Sequence, residues 1–245
     1  MKPNYRLRRF VALLIIAIMV LTGYALSSSF DSPTIPPKTP ESTNESSAPA
    51  PLDDDLDKSQ LASTLLETLP VKGRAPKTDY ARTQFGNGWQ RVGGCDLRNI
   101  ILRRDLQDVV TNEKCQVMSG LLDDPYTGKT IQFQRGESTS ADVQIDHVVA
   151  LSDAWQTGAQ LISSEKRVSF ANDPLNLLAV DGKTNQQKSD GNAASWLPPN
   201  KSFRCQYVAR QIAVKSAYQL WVVMAEYDAM KNVLDTCPKQ KLPTY

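Results

Sequence analysis

Residues 143–151 read VQIDHVVAL and contain the only histidine of the chain, His147, directly after an acid, Asp146. Histidine is the one side chain whose ordinary pKa lies close to neutral pH, so His147 is the first candidate for acid–base chemistry. Residues 172–180 (NDPLNLLAV) form a second apolar run, and residues 185–188 (NQQK) follow soon after a glycine. This order predicts a strand, a second strand and a short helix.

Three further phrases accompany this segment: GCDLRN at residues 94–99, DPYTG at residues 124–128 and ASWLPP at residues 194–199. Together with the order Asp-His, Asn-Leu and Asn-x-x-Lys, they resemble the HNH nuclease superfamily. Within it, the chain is most similar to secreted bacterial HNH proteins related to the C-terminal domain of GmrSD-type restriction endonucleases, over roughly residues 89–237. The resemblance implies an α+β fold with additional helices around a ββα-metal core at residues 143–190. It also implies a metal-dependent endonuclease that hydrolyses phosphodiester bonds with little sequence specificity.

The resemblance further implies a role for each polar residue of the motif. His147 would take a proton from the attacking water, and Asn176 would orient its imidazole. Asp146 and Asn185 would bind one divalent cation, with Asn185 standing where many HNH sites have a final histidine. Both ligands offer oxygen, which favours Mg²⁺ or Mn²⁺ over softer ions. Because neighbouring strand residues point to opposite faces, Asp146 and His147 meet at one site only if the strand twists or bends there.

Two basic residues are the candidates for phosphate binding. Lys188 lies one helical turn after Asn185 and would hold a phosphate as a point charge. Arg98 lies on the polar side of a helix predicted over residues 96–110; alternatively, the arginines of this helix form a solvated face or pair with Asp105 and Asp108. The net charge of +2 is too small to indicate an acidic partner by itself. Nucleic-acid binding, with DNA favoured over RNA, therefore depends on these local residues.

Each motif residue also has an ordinary structural explanation when it is taken alone. A lone histidine is often structural, and an asparagine such as Asn176 or Asn185 can cap a turn or a helix. Two other classes of protein remain open: a non-catalytic, membrane-tethered nucleic-acid-binding protein and a different exported hydrolase. A single histidine cannot supply a multi-histidine zinc site, which counts against the second of these. The ordered set as a whole favours the nuclease.

The N-terminal part of the chain predicts export. Residues 1–26 place four basic residues before an uncharged apolar run, as in a signal peptide or an N-terminal membrane anchor. Residues 27–58 are rich in Ser, Pro and Thr and cannot bury enough apolar surface to fold, so a disordered linker is expected there. The nuclease domain then occupies residues 59–245, either secreted or held at the outer face of the cytoplasmic membrane.

The chain has four cysteines, all in the part that is expected to be exported. An even number in an oxidising compartment predicts two disulfides, and four cysteines allow three pairings. We favour Cys95 with Cys115 and Cys205 with Cys237, because each pair brackets a helical segment and closes a short loop. A structural zinc site is the alternative, although the chain has no C-x-x-C pair.

Two more regions carry a clear periodicity. Residues 116–120 and 130–133 predict two strands joined by a turn at residues 123–128, where an acidic pair is followed by Pro and Gly. Residues 202–237 repeat apolar side chains at helical spacing and predict one long helix or two. We expect this C-terminal region to support the site by packing.

Overall fold

The structure, a computed structural model, describes residues 60–243. The predicted membrane segment (1–26) and the predicted linker (27–58) lie outside these residues. The described part is a mixed α+β domain in which helices alternate with small antiparallel sheets. Within residues 60–243, no helix is both long enough and apolar enough to cross a membrane.

The helices of the described part are α1 (Ala62–Thr68), α2 (Leu97–Asp105), α3 (Leu151–Gln156), α4 (Ser164–Ala171), α5 (Gly182–Lys188), α6 (Arg204–Ala217) and α7 (Met224–Leu234). Short 3-10 helices lie at Arg82–Phe85, Ala159–Leu161 and Lys201–Phe203. The strands are β1 (Arg91–Val92), β2 (Cys95–Asp96), β3 (Gln107–Thr111), β4 (Val117–Asp123), β5 (Thr130–Gln134), β6 (Val143–His147) and β7 (Leu177–Asp181).

The centre of the fold is the antiparallel pair β6–β7, in which His147 lies opposite Leu177 and Asp146 opposite Leu178. Both faces of this pair are covered. Leu178 and Val180 join a core formed with α1, α6 and α7, whereas Ile145 and its neighbours on the opposite face join a second core with α2, β4 and β5. Burial on both faces explains why β7 is apolar almost throughout instead of alternating with polar residues.

Helix α5 follows β7 without a loop and completes the strand–strand–helix order that the resemblance implied. The side chain of Asp181 accepts a hydrogen bond from the Thr184 amide at 2.7 Å and caps the first turn. The helix therefore begins at the edge of the β6–β7 pair, and its residues reach the end of β6 that carries His147.

The strands and turn predicted before the motif are present, as β4, β5 and the segment between them. The carboxylate of Asp124 accepts hydrogen bonds from the amides of Thr127 and Asp181, at 2.8 and 2.9 Å, so the turn is tied to β7. The helix predicted over residues 96–110 is shorter than expected. It ends at Asp105, and residues 107–111 form β3 instead, because they pair with β4.

The C-terminal region contains two helices, α6 and α7, and both predicted disulfides are present. Cys95 is bonded to Cys115 and Cys205 to Cys237. The buried ammonium of Lys215 on α6 contacts Asp153 of α3 at 3.0 Å and Glu226 of α7 at 3.0 Å. The two C-terminal helices therefore hold α3, and with it one wall of the region around His147.

Candidate active site

The side chain of His147 is held in one orientation at the end of β6. Its Nε2 lies 2.9 Å from the carbonyl oxygen of Ala171 at the end of α4. A carbonyl can only accept, so Nε2 carries the proton and Nδ1 is the basic nitrogen. The indole of Trp89 stacks on the imidazole with a ring distance of 5.8 Å and an angle of 8°. Within residues 60–243, Nδ1 makes no hydrogen bond and is free to accept a proton.

His147 is only 7% exposed. This burial, with a smaller contribution from nearby cations, lowers its pKa from 6.5 to about 4, because a charged imidazole loses solvation there. The ring is therefore neutral throughout the neutral pH range, and the state that can accept a proton is fully populated.

Within residues 60–243, the Asn176 side chain makes no hydrogen bond to the imidazole, and its bonds go to the backbone instead. Its Oδ1 accepts a hydrogen bond from the amide of Val149 at 2.8 Å, and its Nδ2 donates to the carbonyls of Val149 and Phe170 at 3.3 and 3.4 Å. Phe170 immediately precedes Ala171, whose carbonyl holds His147. Asn176 thus connects the chain after β6 to the end of α4, next to the residue whose carbonyl bonds to the ring.

Asp146 and Lys188 form a buried ion pair on the opposite side of β6. The Lys188 ammonium lies 2.9 Å from Oδ1 of Asp146 and 2.9 Å from the carbonyl oxygen of His147. Oδ2 of Asp146 accepts a hydrogen bond from the Tyr126 hydroxyl. Burial raises the pKa of Tyr126 well above its usual value, and the Asp146 carboxylate adds to the effect, so the phenol stays protonated and remains a donor.

The pair of residues predicted to bind a metal does not fit a cation in this arrangement. Both oxygens of Asp146 are occupied by Lys188 and Tyr126, and Asp146 faces the core. Asn185 lies elsewhere, on the wall of the cleft that contains His147, and its Nδ2 donates to Gln144 at 2.9 Å. Within residues 60–243, no group of three or more His, Cys, Asp or Glu side chains has the geometry to hold a metal ion. The bend that would bring Asp146 and His147 together is not present in β6.

The two predicted phosphate-binding residues are also used inside the fold. Lys188 is only 2% exposed, so its ammonium cannot reach a phosphate in the cleft without leaving Asp146. Arg98 donates to the carbonyls of Ser140 and Val143, at 3.2 and 3.0 Å, and fixes the start of β6. Arg104 pairs with Asp105, as the alternative interpretation of this helix expected, and also donates to the carbonyl of Leu177. These side chains hold the β6–β7 pair in place.

A polar cleft of about 380 Å³ lies beside His147. Its wall is formed by Lys77, Tyr80, Arg82, His147, Ala150, Leu151, Ser152, Asn185, Ser189 and Asp190. Lys77 pairs with Asp190 at 3.2 Å, and Ser152 donates to the same carboxylate. Arg82 is exposed, and its side chain makes no hydrogen bond or ion pair with any residue from 60 to 243. Its guanidinium is therefore available to an anionic ligand that enters the cleft.

Comparisons with known proteins identify the family of the chain. Residues 96–233 match the family described as GmrSD restriction endonucleases, C-terminal domain. The chain belongs to this family. It is also 38% identical over 192 residues to an uncharacterized secreted protein of Arthroderma benhamiae, a match that covers 78% of this chain and 91% of the relative. No solved structure matches the chain.

Membership of the GmrSD C-terminal family points to a nuclease, and the matched range includes His147, Asn176 and Asn185. It begins after Arg82 and Trp89, which complete the surroundings of His147 from the N-terminal side. Both residues lie in a segment, 71–90, that has scattered polar residues and glycines and no clear periodicity. They were therefore not predicted from the sequence. The one available signal for a site here was an arginine and two aromatic residues within eight positions of each other, in an otherwise polar segment.

Proposed function

We propose that this chain is an exported endonuclease that hydrolyses phosphodiester bonds in nucleic acid, with His147 as the general base. The observation that carries the proposal is the state of the imidazole. It is neutral, its Nε2 is held by the Ala171 carbonyl, and its Nδ1 is free at the edge of a cleft that also contains an unpaired arginine. A positioned neutral imidazole is the usual group for removing a proton from water.

In the proposed reaction, Nδ1 of His147 takes a proton from a water molecule as the water oxygen attacks phosphorus. The bond between phosphorus and the leaving oxygen breaks, and that oxygen takes a proton from solvent in the open cleft. Negative charge grows on the phosphate oxygens during the attack, and the guanidinium of Arg82 is placed to stabilise it. Asn176 and Lys188 act through the backbone, by holding the two ends of the segment that carries the base.

Three observations support the remaining parts of the proposal. The fungal relative is described as a secreted protein, and two disulfides suit an oxidising compartment, which favours export. The family is named for restriction endonucleases, and we carry DNA over to this chain as the substrate. We assign the predicted Mg²⁺ or Mn²⁺ no position, because Asp146 and Asn185 do not fit it. A cation requirement stays a prediction.

The test is nicking of a supercoiled plasmid by the purified chain, with a His147→Ala variant as the comparison. We expect the rate to fall by about a hundredfold to ten-thousandfold in the variant, since the proton acceptor is lost. Circular dichroism should show the same fold. Parallel reactions with EDTA, and with added Mg²⁺, Mn²⁺ or Zn²⁺, measure the cation requirement. Equal nicking by the folded variant and the wild type would remove His147 from the mechanism. DNA binding without nicking by either protein would favour the non-catalytic binding protein.

A further inference from the structure

A second cavity of about 210 Å³ lies on another side of His147, and we call it the aromatic slot. Its wall is formed by Arg82, Phe85, Gly86, Gly88, Trp89, His147, Leu151 and Ala171. Apart from Arg82 and His147, these residues carry aromatic or aliphatic side chains or none. The slot and the polar cleft share Arg82, His147 and Leu151, so the two cavities adjoin at the proposed base.

The segment that builds the slot is fixed in place by several contacts. Gly86 and Gly88 have φ values of +98° and +95°, which other residues rarely adopt, and they turn the chain between the short 3-10 helix and Trp89. The amide of Gln90 donates to the side chain of Asn172 at 2.9 Å. Trp89 is thereby anchored to the end of α4, the same place that holds the imidazole through Ala171. The wall of the slot is therefore held in a fixed position next to His147.

We propose that the aromatic slot binds one nucleobase next to the bond that is cut, so that the substrate is nucleic acid with an unpaired base at that position. This inference rests on the proposed function. Arg82 borders both cavities, so a phosphate at Arg82 brings its attached nucleoside to the mouth of the slot. The face of any base can stack on an aromatic side chain, whereas a base inside a duplex must leave its stack to enter a cavity.

The lining also indicates how the base is recognised. Among the lining residues, only Arg82 and His147 have ionisable side chains, and the proposed mechanism uses both of them for the phosphate and the water. Stacking is therefore the main contribution to binding, and it differs little between bases. The slot therefore predicts a weak sequence preference. It also predicts a preference for single-stranded or locally opened substrate over intact duplex.

The test uses short single-stranded oligonucleotides that contain one cleavable phosphodiester, the other linkages being methylphosphonates. In one set, a tetrahydrofuran abasic residue replaces the nucleoside on the 5′ or the 3′ side of the cleavable bond. We expect removal of the base on one side to lower kcat/KM of the wild type by about fivefold to about 150-fold, the range typical of base–aromatic stacking. Removal on the other side should change it little, and a duplex of the same sequence should be cut more slowly.

The Trp89→Ala variant distinguishes base binding from mere support of His147. If Trp89 stacks on the base, the variant loses activity on the intact oligonucleotide and no longer discriminates against the abasic one, while Trp89→Phe keeps part of the discrimination. If Trp89 only supports the imidazole, both substrates slow by the same factor, which overturns the inference. Equal wild-type rates on intact and abasic substrates overturn it as well, even where the alanine variant does not fold. Failure of the proposed function is a separate outcome, in which no substrate is cut in a His147-dependent manner.

Discussion

Asp146 and His147 are neighbours in the sequence and lie in opposite environments. Asp146 points into the core, where both of its oxygens are bonded to Lys188 and Tyr126. His147 points to the cavities, with one ring nitrogen held and the other free. Consecutive residues of a strand necessarily point to opposite faces, so one of the two can be used for stability and the other for chemistry. The ion pair holds the strand end, and the strand end carries the base.

The largest expected effect comes from breaking the ion pair on the core side. Asp146→Asn leaves the Lys188 ammonium buried without its counter-charge, and Lys188→Met does the same to the carboxylate. Each change should lower the free energy of unfolding by about 3–5 kcal/mol, measured by urea denaturation. The double variant should lose less than the sum of the two single variants, because neither charge is then left alone.

The same variants test whether Asp146 binds a metal. If the Asp146 carboxylate only binds Lys188 and Tyr126, a cation does not depend on it. The folded Asp146→Asn protein should then need the same Mg²⁺ concentration for half-maximal nicking as the wild type. A large rise in that concentration for Asp146→Asn, together with a rise for Asn185→Ala, would show that the two residues are ligands after all. Lys188→Met is a further test of metal binding, because it removes the ammonium partner of Asp146 and leaves the carboxylate available to a cation.

The second expected effect lies on the cavity side and concerns Arg82. Arg82→Gln removes the unpaired guanidinium from the cleft and should lower kcat by about a hundredfold, the lower end for losing a charge-stabilising donor. Lys77→Gln is the matched control: it removes a cation from the same wall, but one that is already paired with Asp190 at 3.2 Å. Both side chains are exposed, so neither variant should change the melting temperature. Equal losses of kcat in the two variants would mean that the rate depends on the total positive charge of the cleft and that Arg82 has no specific role.

The contrast between the two faces also explains what the sequence could predict. Apolar periodicity located the β6–β7 pair, strands β4 and β5 and the C-terminal helices, since burial dictates those patterns. It did not locate β3, which was predicted as part of a helix. Periodicity could not show that Lys188 is buried, because a lysine at the end of a short helix normally points to solvent. The Lys188 side chain points into the core because Asp146 and the carbonyl of His147 provide hydrogen-bond partners there.

Arg82 and Trp89 could not be predicted as site residues for a different reason. They approach His147 through a loop whose course is set by turn geometry and by contacts with residues far along the chain, such as the bond between Gln90 and Asn172. A sequence pattern indicates local structure and burial, whereas a loop is positioned by long-range contacts. The candidate base was therefore predictable, and much of the wall around it was not.

The smallest effect is the dependence on pH, which reports on the cavity side alone. The pKa of His147 is lowered to about 4 by burial, so the imidazole accepts a proton at all higher pH values. The acid limb of kcat/KM, which reflects the free enzyme, should lie near pH 4, well below the 6.5 of an ordinary histidine, and fall about tenfold per pH unit below it. The limb of kcat should lie higher, because a bound phosphodiester anion favours the charged imidazole.

Unfolding at low pH must be separated from this loss of activity. Since the pKa of His147 is lower in the folded state, the unfolded chain binds a proton between pH 6.5 and about 4 that the folded chain does not. The contribution of His147 to stability is thus greatest above pH 6.5 and decreases on acidification to about pH 4, by up to about 1.4 kcal/mol per pH unit. Circular dichroism at each pH gives the folded fraction for correcting the rates. Arg82→Gln should move the corrected limb to higher pH, because the charge of Arg82 opposes protonation of the ring. A limb that stays near pH 6.5 in every variant would mean that the imidazole of His147, the only histidine of the chain, is solvated in the active enzyme and that burial does not lower its pKa.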